Sequence, residues 1–203
     1  GETVKIVAED ETVNLEKMAG IQIGYAYFNM VNGPTADAKV REALIKAVDY
    51  KELAAGVYQY GEGEAACLPL PRASWGYDES VEADVPSYDP DGAKKLLEEA
   101  GWKDSDGDGF VDKDGKNLEL DFIFYSGRAE LPLYAEATQS DAKKVGIKIN
   151  LKNVDYNVLD GIGVRGEYDL LISNILTEQA GDPEVFVNQY WNCLLYTSPS
   201  PRD

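Results

Sequence analysis

The chain has 203 residues, 44% of them hydrophobic and 10% aromatic, which suits one sizeable folded core or two small ones and is too apolar for a disordered chain. With 37 acidic side chains against 19 basic ones, the formal net charge of −18 opposes contact with phosphate backbones or anionic lipid, which excludes nucleic acid as a partner. No stretch reaches the roughly 18 apolar residues a membrane helix needs, and with no histidine anywhere, Ser-His-Asp and Cys-His nucleophiles and His-based zinc sites are ruled out.

The N-terminal run GETVKIVAED has neither an initiator Met nor a signal-type apolar core, so the chain reads as an interior piece. Residues 3–8 and 21–29, rich in Val, Ile, Tyr and Phe, predict two strands. In DAKVREALIKAVD, the apolar residues Val40, Ala43, Leu44, Ala47 and Val48 recur at helical spacing, with Asp37 as N-cap. Asp49 and Glu52 then form a capping box for a second short helix. Residues 59–88, rich in Pro, Gly and Tyr, carry no period and predict an irregular surface connection. Within it, Cys67 is expected to be a small buried residue, and Trp75 and Tyr77 are expected to bury their rings against the body of the fold.

From Asp89 the punctuation becomes regular, with Asp89 as N-cap, Pro90 at the first helical position, an apolar face of Ala93, Leu96, Leu97 and Ala100, and Gly101 as the stop. The acidic run DSDGDGFVDKDGK follows. Asp104, Asp106, Asp108, Gly109 and Asp112 fit positions one, three, five, six and nine of a calcium loop, but Gly115 stands where the bidentate carboxylate belongs. The Asp-Gly pairs at 106–107 and 114–115 instead predict a β-hairpin leading into a strand at 118–124. A calcium-dependent interaction module is the reading this displaces. Next come a helix at 130–145 stopped by Gly146, a strand through Ile147, Ile149 and Leu151, a short helix capped by Asp155, an apolar strand at 168–174, and a helix opened by Asp182 and Pro183. Strand and helix alternating in this way imply crossover connections, hence an α/β fold with a largely parallel mixed sheet flanked by helices. Ligands of such sheets bind at the carboxyl ends of the strands.

Residues 193–203, CLLYTSPSPRD, have no apolar period and resemble the in-frame translation of a sequencing-library adapter, which puts the last native residue at Asn192. Cys67 is then the one native cysteine, and no intrachain disulfide can form.

Several segments together resemble the extracytoplasmic solute-binding proteins of ABC importers for peptides and nickel. They are FNMVNGPTADAKVREALIKAVDYKEL, YDPDGAKKLLEEAGWKDSDGDG, QSDAKKVGIKINL and GDPEVFVNQYW. The resemblance implies a periplasmic-binding-protein-like lobe: residues 1–192 would be mainly the second, C-terminal lobe of a two-lobed clamp that closes by hinge motion. It implies a small peptide or peptide-like solute as ligand, an ABC permease as partner, a monomer, an extracytoplasmic location as a periplasmic protein or surface lipoprotein, no cofactor, no metal and no catalysis. The competing enzyme reading is a carboxylate-based hydrolase, for which no element beyond abundant acids is present.

In dipeptide-type members of that family an arginine follows the strand corresponding to 118–124. Here Tyr125 holds that place and Arg128 is the nearest basic residue. A Trp and an Asp that precede the Asp-Pro helix in those relatives are replaced by Leu176 and Gln179, with Glu178 adjacent. The candidate ligand residues are therefore Arg128, Glu178, Gln179 and Tyr125, joined by Asn29 and Asn174 as strand-ending amides that either meet a ligand backbone or cap the turns beside them.

Overall fold

The computed structural model describes residues 2–59, 63–178, 182–184, 186 and 187. Gln179, most of the last expected helix, and residues 193–203 lie outside the described residues.

The first element corrects the expectation. Residues 3–8 form not a strand but part of a helix, α1 (Glu2–Ala8). β-branched residues favour strands only where a neighbour completes the ladder, and no described strand runs beside this segment, so the backbone bonds within itself. Strand β1 (Gln22–Phe28) follows as expected, and α2 (Ala38–Ala47) turns Val40, Ala43, Leu44 and Ala47 inward. Asp37 caps α2 by accepting from Lys39 N at 2.8 Å.

Helix α3 (Tyr50–Val57) starts at Asp49, whose carboxylate accepts from Lys51 N and Glu52 N at 3.1 and 3.0 Å. The expected return bond from Glu52 is replaced. The Asp49 N–H donates to Oδ2 of Asp141 at 3.1 Å, so a distant helix supplies the second half of the cap. Asp141 is itself buried and accepts from Lys144 Nζ at 2.7 Å. Asp141→Ala should destabilise the fold by about 1–3 kcal/mol, because a partly buried N–H loses its acceptor. Asp141→Asn keeps an acceptor oxygen and forfeits only a surface ion pair, so urea unfolding should show a smaller loss. Equal losses would mean that the charge, not the acceptor, joins these helices.

Past the irregular connection, where a 3₁₀ turn covers Glu79–Asp84, α4 (Pro90–Glu99) packs its Ala93 and Leu97 against α2. Asp89 caps it through Gly92 N at 2.9 Å, and Gly101, at φ 87°, ends it in the left-handed conformation that Gly adopts without a Cβ penalty. The hairpin is present, as β2 (Asp112–Lys113) paired with β3 (Lys116–Asn117). Asp114 and Gly115 both have positive φ, 53° and 71°, as a type I′ turn requires.

The remaining chain alternates β4 (Glu119–Phe124), α5 (Glu130–Lys144), β5 (Lys148–Asn153), α6 (Leu159–Arg165) and β6 (Leu170–Leu176). The sheet order is β1-β6-β4-β5, with β6, β4 and β5 parallel and β1 antiparallel to β6. Moving from β4 to β5 runs one way along the sheet, and moving from β5 past β4 to β6 runs the other. Right-handed crossovers therefore place α5 and α6 on opposite faces. Burial of successive residues Phe122, Ile123 and Phe124 in β4 agrees, since adjacent side chains point to opposite faces and both are covered.

Candidate ligand-binding site

The carboxyl ends of β4, β5 and β6 share one rim with the start of β1, because Gln22 pairs with Leu176 in the antiparallel register. Tyr125, the residue after β4, is buried, and its ring meets the exposed Tyr156, just beyond β5, edge-on at 5.1 Å between centroids. Burial pushes the Tyr125 phenol up, and the neighbouring Arg128 guanidinium pulls the other way. α5 and α6 leave on opposite faces after these two strands, so the two tyrosines stand at a point where the connections diverge, the usual location of a crevice in open α/β sheets.

Arg128 is exposed on the loop between β4 and α5. Of the four described arginines, Arg72 pairs with Glu82 at 2.9 Å, Arg165 with Glu167 at 2.8 Å, and Arg41 donates to the carbonyls of Thr35 and Ala36 at 2.8 and 2.9 Å. Arg128 alone has only the Tyr125 phenol beside it, with no carboxylate in ion-pair range among the described residues.

Glu178 is half-buried beyond β6, and its Oε1 accepts from Trp75 N at 3.2 Å. One residue earlier, Thr177, 1% exposed, donates to Ile21 O at 2.9 Å and lies 3.4 Å from Ser74 Oγ. These contacts hang the long connection on the rim. Trp75 is not buried against the fold as expected: its backbone N–H is anchored while the residue is 76% exposed. Tyr77 is half-buried and bonds Glu82, and Cys67 is exposed rather than buried. In each case burial depends on what the irregular segment meets, which local composition does not specify.

The two asparagines part company. Asn174 does not end its strand, since β6 continues to Leu176; its amide donates to Glu130 Oε1 at 2.6 Å and accepts from Gln22 Nε2 at 2.5 Å. Asn29 follows β1, but β1 runs antiparallel, so this residue lies at the opposite end of the sheet, bonded through its N–H to Asp169 O at 3.0 Å. Its amide donates to Gly166 O and Tyr168 O and its Oδ1 accepts from Val31 N and Asn32 N, all within 3.1 Å, so it caps the turn after β1. A polar cleft of about 240 Å³ there is lined by Asn32, Gly33, Asp121 and Asp169. Burial pushes the Asp169 carboxyl up, while its Oδ2 accepts from Asp121 N at 2.8 Å. That cleft sits at the amino ends of the parallel strands.

The acidic turn also finds its own partners. Oxygens of Asp104, Asp106 and Asp108 lie within 4.8 Å of one another, yet these exposed side chains accept from the N–H groups of Gly107, Gly109, Asp108 and Phe110. Asp112, ninth in the calcium pattern, is buried and holds Ser105 N at 2.7 Å. The carboxylates shape a turn leading to the hairpin.

Sequence reading passed over Glu130 and Gln22, which join Asn174 at the rim. Glu130 was legible only as the start of a helix, and nothing local marks Gln22, because their meeting depends on strands and a helix distant in the chain.

A largely parallel mixed sheet flanked by helices defines an α/β fold of the periplasmic-binding-protein type. The chain belongs to the bacterial extracellular solute-binding proteins, family 5 Middle, whose model matches residues 2–196. It is 34% identical over 148 residues to the oligopeptide-binding protein AppA of Bacillus subtilis, covering 72% of this chain and 27% of that protein. It is 31% identical over 186 residues to the dipeptide-binding protein of Escherichia coli, covering 91% of this chain and 32% of that one. The crystal structure of the dipeptide-binding protein from Pseudoalteromonas sp. SM9913 in complex with Met-Leu superposes with a TM-score of 0.72 at 29% identity, over 93% of this chain and 35% of the other. The chain thus spans about a third of the length of the relatives it matches.

Proposed function

We propose that this chain is most of one lobe, the second, of a two-lobed solute-binding component of an ABC importer. That component captures small peptides or peptide-like solutes outside the membrane, as a periplasmic protein or a surface lipoprotein, and hands them as a monomer to a membrane permease. The observation that carries this reading is Arg128, an arginine with no carboxylate in ion-pair range among the described residues, at the strand ends where such sheets bind ligands. A peptide carboxylate is its natural complement, because a guanidinium fork matches two carboxylate oxygens. Tyr125 and Tyr156 supply an aromatic wall beside it, and Glu178 fixes the adjacent connection through Trp75.

Peptide-binding relatives support the ligand class. Closure of the other lobe over this one would exclude water and strengthen each polar contact at the rim. The test is calorimetry of the full-length protein with a random tripeptide library bearing free termini, followed by recovery of the peptides. Binding tighter than about 100 μM, roughly −5.5 kcal/mol, with the peptides returned intact is the expected result. Cleaved peptides would favour the hydrolase, and no binding would remove the peptide reading.

A further inference from the structure

The carboxylate at the rim with the best-defined setting is neither Glu178 nor any residue of the acidic turn. It is Glu130, the first residue of α5, half-buried beside the carboxyl ends of β4 and β6. Its Oε1 is gripped by the Asn174 amide at 2.6 Å, and the Asn174 carbonyl is held in turn by Gln22 Nε2 at 2.5 Å. Both ends of the asparagine amide are used, so its orientation is set, and through it that of the carboxylate. Three separate elements, β1, β6 and α5, thus converge to place one side chain.

Like most acids of this strongly acidic chain, Glu130 has no lysine or arginine in ion-pair range among the described residues; what sets it apart is the amide that orients it. Nor does Arg128, two residues away, pair with it. The first turn of a helix is the position where negative charge is most stabilised by the peptide dipoles, so nothing intrinsic to α5 calls for a counter-cation. Two phenols near the start of α5 feel its charge. Tyr134, one turn along α5, is pushed up by burial first, by its bond to Tyr58 second, and by Glu130 last; Tyr125 responds to Glu130 in the same sense. A half-buried carboxylate whose orientation is fixed by a neighbouring amide is the chemistry that takes an ammonium group, through a charge-assisted hydrogen bond.

We infer that Glu130, positioned by the Gln22–Asn174 amide relay, receives the terminal ammonium of a peptide-like solute. This rests on the peptide-binding reading above and adds to it the group that selects for a free amine. Glu178 is the poorer candidate because its partner is a backbone N–H of the irregular connection, at 3.2 Å, whereas Glu130 is oriented by a side-chain relay anchored on two strands. With Arg128 on the same rim, the site presents one cation and one anion that do not neutralise each other, a pattern complementary to a zwitterion.

The test compares two random tripeptide libraries, one with free amino termini and one N-acetylated, against the full-length protein and its Glu130→Gln, Glu130→Asp and Glu136→Gln variants. Glu136 is exposed further along α5 and serves as the charge control. The parent should prefer the free-amine library by at least about tenfold, as expected when a charge-assisted bond is lost. Glu130→Gln should bring the two libraries within threefold while binding the acetylated one as the parent does, which also verifies folding. Glu130→Asp should keep part of the preference, and Glu136→Gln all of it. If the parent prefers free amines and Glu130→Gln retains that preference, the inference is overturned while the peptide reading stands. If the parent binds neither library, both fall.

Discussion

Replacing Phe122 by alanine is expected to cost about 3–5 kcal/mol, the range for removing a fully buried aromatic ring and leaving a cavity. Phe122 sits at the centre of β4, 1% exposed, opposite Leu151 of β5 and Leu170 of β6 in the parallel register. β4 is paired on both edges and covered on both faces, so the surroundings have little freedom to collapse into the void. Phe122→Leu preserves most of the volume and should cost less than about 1.5 kcal/mol. Leu133→Ala, at a position 46% exposed on α5, should stay within about 0.5 kcal/mol. Urea unfolding of the three variants gives the comparison, and a Phe122→Ala loss below about 1 kcal/mol would contradict close packing at the sheet centre.

The second large effect is on binding. Arg128→Ala in the full-length protein should weaken peptides with a free C-terminal carboxylate by about 2–5 kcal/mol, roughly 30-fold or more, because a ligand charge is left unpaired in a closed, dry site. C-terminally amidated peptides carry no such charge and should bind parent and variant alike. Arg128→Lys should recover only part of the affinity, since an ammonium cannot reproduce the two parallel bonds of a guanidinium. A change within threefold for free-carboxylate peptides would make Arg128 a solvated loop charge and assign carboxylate recognition to residues elsewhere in the protein.

A shared fold does not fix a ligand, so the discriminating contacts are particular side chains of the site. On the reading proposed above, Arg128 and Glu130 are two of them, and each can be separated from the other by blocking one end of a peptide.

The parts of this molecule that sequence alone determined are those whose partners lie within a few residues. Asp37 and Asp89 cap their helices through N–H groups two or three positions on, Gly101 and Gly146 end theirs with positive φ, and Asp114-Gly115 turns the hairpin. The α/β character followed for the same reason, because the periodicity of each strand and helix is local. Tertiary structure decided whatever needed a distant neighbour. Residues 3–8 became helix where no described strand lies beside them, and Asp141 replaced Glu52 in the cap of α3. Asn29 and Asn174 look equivalent along the chain, each in or just after a strand. Antiparallel pairing of β1 with β6 sends Asn29 to the far end of the sheet, and the extra length of β6 makes Asn174 the hinge of the relay between Gln22 and Glu130. Strand direction and register are set by pairing across more than a hundred residues of chain, and no local pattern encodes which edge a side chain will finally share.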